Sequence, residues 1–296
     1  MSFTGGRALG LALTALLLGV SVARAQAWLP SAGSASTSVS YTDSWYTKHY
    51  TSTGSVVDAG HIRVFTYGFA AEYSPTDRLM VNASLPLVES EYHGAFPHPT
   101  KVDDGSYHAT VTDLRTELHY QLLLEPLALS PYVAYVLPTH HYETLGHAAP
   151  GRGLHETWLG LSVGKSLDQW IPRAYVEARL TYAIVQKVQD ISHDKENFDF
   201  AVGYFMTPEL SAQAYVHWQT TLGGIPVPIP KSKPLFPYHD QLGADGFTNF
   251  GVASTWSYSD RSAFTFAYLT GIRGVNGHKI DSSFSFAYSY DLGRNH

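Results

Sequence analysis

The stretch Thr112–Leu122, TDLRTELHYQL, separates into two sets when alternate residues are compared. The first set is ionic or polar and contains Asp113, Arg115, Glu117, His119 and Gln121. The second set is largely apolar and contains Leu114, Thr116, Leu118, Tyr120 and Leu122. Successive side chains of a β-strand point to opposite faces, so the pattern predicts a strand with one ionic and one apolar face. A soluble sheet would turn the ionic face to water, whereas a barrel in a bilayer turns it to the lumen.

The composition favours β structure and excludes several kinds of site. Of the 296 residues, 44% are hydrophobic, 14% are aromatic and only 15% are charged, a balance that is not typical of disordered chains. The chain has no cysteine, which excludes disulfides, cysteine metal ligands and thiol catalysis. The sequence contains no basic stripe, so we expect no nucleic-acid partner.

The N-terminus has the organisation of a secretory signal peptide. Arg7 precedes the apolar stretch Leu9–Val22, and Ala23-Arg24-Ala25 has the small residues of a cleavage site. We expect residues 1–25 to be removed and residues 26–296 to form one barrel domain. Cleavage removes two basic residues and no acidic residue, which changes the net charge from −6 to −8. The alternative, a membrane-anchoring helix, is disfavoured because the apolar run is short.

Alternating patterns predict twelve strands in the rest of the chain. Their approximate spans are 36–47, 61–73, 78–91, 110–122, 130–139, 154–167, 173–187, 197–207, 210–222, 247–258, 262–270 and 281–292. Most are long for a soluble sheet and suit a tilted strand that crosses a bilayer.

The predicted connections alternate between short and long. Short turns such as Ser74–Asp77 and Thr207–Glu209 alternate with longer segments such as 140–153, 223–246 and 271–280. Outer-membrane barrels have short periplasmic turns and long external loops, and an even strand number leaves both termini in the periplasm. The sequence therefore predicts an all-β fold, a transmembrane antiparallel up-and-down β-barrel of about twelve strands. The proline-rich run Gly223–Pro237 cannot be a central strand. It could stand up from the barrel as extended polyproline, but we expect it to fold into the mouth or onto the rim.

Several short motifs resemble the meta-pathway phenol-degradation outer-membrane family over roughly residues 60–292. The motifs are Ser84–Leu87, Thr112–Arg115, Tyr132–Thr139, Leu159–Ser162, His239-Asp240 and Gly274–His278. The resemblance implies an outer-membrane barrel that acts as a transporter-like channel associated with small or aromatic compounds. The chain has Thr139-His140-His141 where many members have Thr-Gly-Asp, and it ends in Asp291–His296 rather than in a terminal aromatic residue.

The strand faces predict which residues line the lumen. The predicted pore-lining residues are Asp113, Arg115, Glu117, His119, Gln121, Glu177, Arg179, Gln213, Tyr215 and His217. Such residues can form a charged constriction that selects polar or weakly charged solutes. They can equally form ion pairs that brace a barrel of intermediate width. Both interpretations are compatible with the sequence.

Histidines are concentrated in the predicted external loops. The chain has 15 histidines, and imidazole is a ligand for zinc and copper. The candidates for a metal site are His140, His141 and His147, although their spacing matches no established metal motif. We therefore expect no bound metal and no cofactor.

The sequence gives little support for catalysis. It contains no Gly-x-Ser-x-Gly motif. The neighbouring pairs His193-Asp194 and His239-Asp240 would point to opposite faces of a strand. We expect that the protein is not an enzyme, with an outer-membrane hydrolase as a minor alternative.

These observations predict a porin-like channel of the bacterial outer membrane for passive diffusion of small solutes. Small aromatic or hydrophobic compounds are the solutes that the family resemblance implies. A structural or adhesive barrel with a plugged lumen is the main alternative, and a barrel that binds metal through external histidines is a minor one. The expected partners are outer-membrane lipid and lipopolysaccharide outside the barrel and small-molecule solutes inside it.

Overall fold

A computed structural model describes residues 27–58, 60–95, 98–226, 229 and 232–294. The strands, numbered in chain order, are β1 (Ser34–Tyr50), β2 (Val56–Val57), β3 (His61–Thr76), β4 (Leu79–His93), β5 (His108–Val111), β6 (Asp113–Tyr120), β7 (Ala128–Pro138), β8 (Glu156–Ser166), β9 (Ala174–Val185), β10 (His193–Phe205), β11 (Leu210–Gly223), β12 (Gly246–Ser259), β13 (Ser262–Val275) and β14 (His278–Arg294). The helical elements are two 3-10 turns, Lys101–Asp103 and Phe236–Tyr238, and the single-turn α1 (His239–Leu242). The predicted signal peptide, residues 1–25, lies outside the described residues.

Twelve of the strands form a closed antiparallel barrel. Each pairs with its neighbour in the chain, and β14 pairs with β1 to close the sheet, while β2 and β5 are short additions to β1 and β4. Side chains reinforce the closing seam, because Thr42 Oγ1 lies 3.0 Å from Ser285 Oγ and Ser44 Oγ lies 2.7 Å from Ser283 Oγ. The prediction of an all-β up-and-down barrel with twelve strands is confirmed. None of the helices in the described ranges is long and apolar enough to cross a membrane.

The strand predicted over 110–122 is interrupted at Thr112. The part of β4 next to β5 pairs Leu87 with Val111, whereas the part next to β6 pairs Ser84 with Arg115, so the register shifts by one residue. Pro86 lies on β4 at this point and has no N–H to donate, although its carbonyl oxygen accepts a 3.0 Å hydrogen bond from the Thr112 N–H. The missing N–H donor of Pro86 therefore explains the interruption of the strand at Thr112.

The connections differ at the two ends of the barrel. The end of the barrel at which β1 begins and β14 ends is the short-turn end. Its connections are 77–78, 121–127, 167–173, 206–209 and 260–261. The four longest connections, 51–60, 94–107, 139–155 and 224–245, all lie at the opposite, long-loop end.

The loop predicted over 271–280 is wrong. Strands β13 and β14 continue through this region except at Asn276-Gly277, but their pairing with each other ends at Leu269 and Ser283. Beyond that point β13 pairs with β12, and β14 pairs with β1. Asn276 has a φ of 56°, a left-handed backbone conformation that Asn tolerates better than most other residues.

The two faces of the barrel wall have opposite character. Outward side chains are mainly exposed apolar and aromatic residues, such as Phe266 at 58% and Phe284 at 58% exposure. Inward side chains on the same strands are small or polar and buried, such as Thr265, Ser283 and Ser285. A continuous apolar exterior around a polar interior is the arrangement of a transmembrane barrel.

Val133 tests whether the outward face lies in lipid. It is the middle residue of β7 and is 40% exposed, whereas Leu124, in a turn at the short-turn end, is 57% exposed. In lipid bilayers Val133→Arg should lower the free energy of unfolding by about 2–4 kcal/mol, because its charge would enter hydrocarbon, while Leu124→Arg should cost about 0–1 kcal/mol. Urea titration of protein folded into vesicles measures both, and equal small costs would contradict a lipid-facing β7.

Candidate functional site: the barrel interior

The ionic set of β6 faces the inside of the barrel. Arg115, Glu117 and His119 are 5%, 3% and 0% exposed, whereas Leu118, between the last two, is 42% exposed on the outer face. Strand geometry causes this alternation, because successive side chains leave the sheet on opposite sides.

Glu117 is the centre of a buried ionic network. Arg115 Nε donates a 2.6 Å hydrogen bond to Glu117 Oε1, and Arg179 Nη2 donates a 2.9 Å hydrogen bond to Glu117 Oε2. His119 Nε2 lies 2.7 Å from the same Oε2. Charge-assisted bonds of this length are among the stronger hydrogen bonds in proteins. One carboxylate thus connects β6 to β9, with β7 and β8 between them.

Aromatic rings hold both guanidinium groups in place. Arg115 lies over the ring of Trp158 and Arg179 over the ring of Tyr132, each 4.0 Å from the ring centroid. Arg179 Nε also donates a 2.8 Å hydrogen bond to Tyr132 Oη, and His119 stacks on the Tyr132 ring at 4.9 Å. A cation over an aromatic face is attracted by the ring quadrupole, and the attraction grows when water is excluded. The charged wall is therefore rigid and cross-braced.

Inward tyrosines lie over glycines of the neighbouring strand. A Cβ added at Gly160 would overlap Tyr132, one at Gly203 would overlap Tyr175, and one at Gly251 would overlap Tyr215. In all three cases the tyrosine and the glycine are cross-strand partners. The absence of a glycine side chain lets each ring lie along the wall instead of projecting across the lumen. The sequence analysis named Tyr215 as pore-lining but not Tyr132 or Tyr175, since the pairing appears only once the strand register is established.

The other predicted pore-lining residues also turn inward or lie at the rim. His217 Nδ1 lies 2.5 Å from Asp199 Oδ1, and Tyr175 Oη donates a 3.3 Å bond to Gln213 Oε1. Glu177 is partly buried on β9. Asp113, at the loop end of β6, accepts a 2.5 Å hydrogen bond from Tyr142 Oη.

An N-terminal segment, residues 27–33, enters the interior from the short-turn end. Gln121 holds it at two points, because Gln121 Nε2 donates a 2.9 Å bond to the Ala27 carbonyl and Gln121 Oε1 accepts a 2.8 Å bond from the Leu29 N–H. Trp28 packs edge-on against Tyr175 at 6.4 Å, and its ring leaves no room for a Cβ at Gly164. Ala27 is fully buried. The sequence analysis did not predict this segment, which has no repeat or motif of its own.

Loops cover the long-loop end, and Asp103 connects two of them. Its carboxylate accepts hydrogen bonds from the backbone N–H groups of His98 at 2.9 Å, His147 at 3.1 Å and Ala148 at 2.9 Å. Burial alone would raise the pKa of Asp103, but bonds from the His98 ring and from these N–H groups outweigh it and hold the pKa well below its usual range. The ionised carboxylate of Asp103 therefore joins loops 94–107 and 139–155 through hydrogen bonds.

The described part of the proline-rich loop 224–245 packs over the same mouth. Ile225 N–H donates a 2.8 Å bond to the Leu242 carbonyl, and Leu242 is fully buried. Gln241 Nε2 donates a 2.8 Å bond to the Arg152 carbonyl in loop 139–155. The described part of this loop therefore lies against the other loops rather than extending into solvent.

The three histidines considered as metal candidates are separated. His140 is bonded to Thr110 and Thr139 at the end of β7, and His141 is exposed. His147 forms one group with His98 and Asp103 whose ligand atoms are close enough to share an ion. A second such group, His98, His239 and Asp240, lies beside it. Both groups depend on contacts between loops distant in sequence, which the spacing of histidines along the chain does not reveal.

Comparison with solved structures identifies similar barrels. The COG4313 outer membrane channel from Pseudomonas putida F1 has a TM-score of 0.72 and 16% sequence identity, over 92% of this chain and 100% of that chain. The fold is that of an outer-membrane β-barrel. The translocator domain of the autotransporter NalP from Neisseria meningitidis has a TM-score of 0.50 and 11% identity, over 87% of this chain and 88% of that chain. At these sequence identities the similarity shows the fold alone. For the fold, it confirms the expected resemblance to an outer-membrane barrel family. No protein-family model and no curated protein matches the sequence.

Removal of the central carboxylate should destabilise the barrel. Glu117→Gln leaves Arg115 and Arg179 buried without their shared counter-charge, and breaking a buried ion pair in this way costs about 3–5 kcal/mol. Urea unfolding in vesicles measures the loss. Glu125→Gln, the same change at an exposed turn residue, should stay within about 0.5 kcal/mol of wild type. Equal stability of the two variants would show that Glu117 does not brace the wall.

Proposed function

We propose that this protein is a channel of the bacterial outer membrane that allows passive diffusion of small solutes. The observation that supports this proposal is a closed barrel with an apolar exterior around an interior lined by charged, hydroxyl and imidazole groups. Such an interior favours water and polar solutes, and such an exterior favours lipid. The predicted signal peptide supports export, with residues 26–296 as one barrel domain. Outer-membrane lipid and lipopolysaccharide would then surround the outer face.

Buried polar atoms on the ionic wall support a lumen that contains water. His119 Nδ1, Ser84 Oγ, Ser130 Oγ and Ser162 Oγ are buried and have no hydrogen-bond partner among the described residues. Such atoms in native proteins are ordinarily satisfied by ordered water. We therefore propose small polar or weakly charged solutes. An aromatic solute would need a polar substituent to pair with the groups on this wall.

A structural barrel with a plugged lumen is the second candidate. It is favoured by the N-terminal segment 27–33 at one end, by the packed loops at the other and by the buried Glu117 network between them. We propose no catalytic role. His193 Nδ1 lies 3.3 Å from the Ile191 carbonyl, whereas Asp194 accepts a 2.9 Å bond from the Val185 N–H, so these neighbours are engaged separately.

Single-channel recording in planar bilayers decides between the two candidates. A channel should give discrete current steps in potassium chloride, and vesicles that contain it should swell in small polar solutes. A barrel that inserts and resists denaturation but gives neither current nor swelling would establish the structural alternative.

Deletion of residues 27–30 tests whether the N-terminal segment restricts passage. The deletion removes Trp28 and the two backbone groups of this segment that bond to Gln121, while leaving the β1–β14 seam intact, so the single-channel current should increase. Gln121→Ala should produce a smaller increase, since Trp28 can still pack on Tyr175. Trp170→Ala, at an exposed turn residue, is the matched control and should behave as wild type. Unchanged current after the deletion would mean that the segment does not limit conduction.

The double change Arg115→Ala and Arg179→Ala should shift the channel toward cations. It leaves the carboxylate of Glu117 without either guanidinium, so the field inside the barrel becomes more negative. The reversal potential in a potassium chloride gradient measures this selectivity. Arg173→Ala, at an exposed turn residue, controls for the loss of positive charge elsewhere. A reversal potential equal to that of wild type would contradict the role assigned to the ionic wall.

A further inference from the structure

The long-loop mouth brings together two histidines and one carboxylate from two different loops. His98 lies in loop 94–107, and His239 and Asp240 lie in α1 of loop 224–245. We propose that these three residues bind one divalent transition-metal ion, Zn²⁺ or an ion of similar ligand preference. The site does not depend on whether the barrel conducts.

The distances between the ligand atoms suit a single ion. His98 Nε2 lies 3.5 Å from Asp240 Oδ2, and His239 Nε2 lies 3.5 Å from Asp240 Oδ1. All three ligand atoms lie within 4.8 Å of one another. Ligands of tetrahedral zinc are roughly 3.3 Å apart, given metal–ligand bonds of about 2.0–2.1 Å. Two imidazoles and one carboxylate are also the protein ligands of a common class of zinc site, in which water occupies the fourth position.

The second nitrogen of each imidazole is held as metal-ligating histidines usually are. His98 Nδ1 lies 3.0 Å from Asp103 Oδ2, and His239 Nδ1 lies 2.6 Å from the carbonyl oxygen of Phe236. A carbonyl and a carboxylate can only accept, so each Nδ1 carries the proton. In the neutral tautomer each Nε2 then presents a lone pair toward Asp240. A carboxylate or carbonyl behind a histidine fixes ring orientation and increases ligand basicity at metal sites.

The carboxylate of Asp240 supplies independent evidence. Its Oδ2 is buried and receives no hydrogen bond from the described residues. A carboxylate oxygen is an acceptor, and a buried acceptor without a donor is costly. An imidazolium donor would approach to about 2.7–2.9 Å, which is closer than the 3.5 Å observed for either ring. A cation bound between the three groups would satisfy this oxygen.

The neighbouring group of His98, Asp103 and His147 is less suited to an ion. Asp103 already accepts three backbone N–H groups and the His98 ring, so its oxygens are committed to joining the loops. In this arrangement Asp103 positions His98, and Asp240 provides the metal-binding carboxylate. Phe236 packs against the His239 ring at 4.8 Å, which limits rotation of that ligand.

Calorimetric titration with zinc chloride tests the site in full-length protein purified without a polyhistidine tag and stripped with chelator. Wild type should bind one ion per barrel. His239→Ala and Asp240→Ala should each weaken binding by more than the roughly 10–100-fold typical of an outer-shell partner. The double variant His140→Ala and His141→Ala, which removes two loop histidines outside the site, should bind like wild type. Heat-dependent migration in detergent gels confirms that each variant is a folded barrel.

Cobalt supplies a second readout, because Co²⁺ in a tetrahedral protein site absorbs visible light strongly. The band should appear in wild type and in the His140/His141 double variant and be lost in His239→Ala. No saturable binding by wild type would overturn the proposal. Equal affinity of wild type and His239→Ala, or an equal loss in the His140/His141 control, would overturn it as well.

An ion at this site would cross-link loop 94–107 to loop 224–245. Its effect on conduction rests on the proposed channel function. Zinc added to the long-loop side should reduce wild-type current and leave His239→Ala unaffected. If neither protein conducts without zinc, the channel function fails while calorimetry still decides the site. If zinc binds but wild-type current does not change, the cross-link does not control the mouth.

Discussion

Closure of the sheet between β1 and β14 is the constraint on which the rest of the structure depends. A backbone donor or acceptor left unpaired in hydrocarbon costs several kcal/mol, so a transmembrane sheet cannot have free edges. The two strands meet although they come from opposite ends of the chain, and Thr42–Ser285 and Ser44–Ser283 bonds join them inside the wall. Closure at twelve strands also sets the width, between the packed interior of eight strands and the open channel of sixteen.

Intermediate width explains the chemistry of the interior. Charged side chains can reach across to strands that are not their neighbours, as Glu117 on β6 does to Arg179 on β9. A buried charge without a partner would be costly, so each sign of charge requires the other. Rings must lie flat to fit, and the glycine opposite each of Tyr132, Tyr175 and Tyr215 makes that geometry available. The same residues therefore brace the wall and determine which polar groups face the lumen.

Sequence reasoning recovered the strands, their faces and the closed architecture, because the signals for these are local. The alternation of polar and apolar residues in TDLRTELHYQL indicates which residues share a face, and no other strand is needed to see it. The extensions of β13 and β14 into residues 271–280 were missed, because these parts pair with β12 and β1 and not with each other. Cross-strand pairs such as Tyr132 and Gly160 require the register, and Ala27 with Gln121 or His98 with His239 meet only through tertiary folding. Loop and terminal segments carry no periodic pattern, so their meeting points could not be predicted from the sequence.

The two ends of the lumen are covered by segments that lie outside the barrel ladder. At the short-turn end, Gln121 holds segment 27–33 through two hydrogen bonds and Asp77 through a third, with Trp28 packed beside Gln121. At the long-loop end, Asp103 joins two loops and Gln241 attaches a third. Each intramolecular hydrogen bond contributes only about 0.5–1.5 kcal/mol, whereas opening the ladder would expose many backbone groups to hydrocarbon. Displacing either cover would therefore cost far less free energy than opening the sheet that spans the membrane.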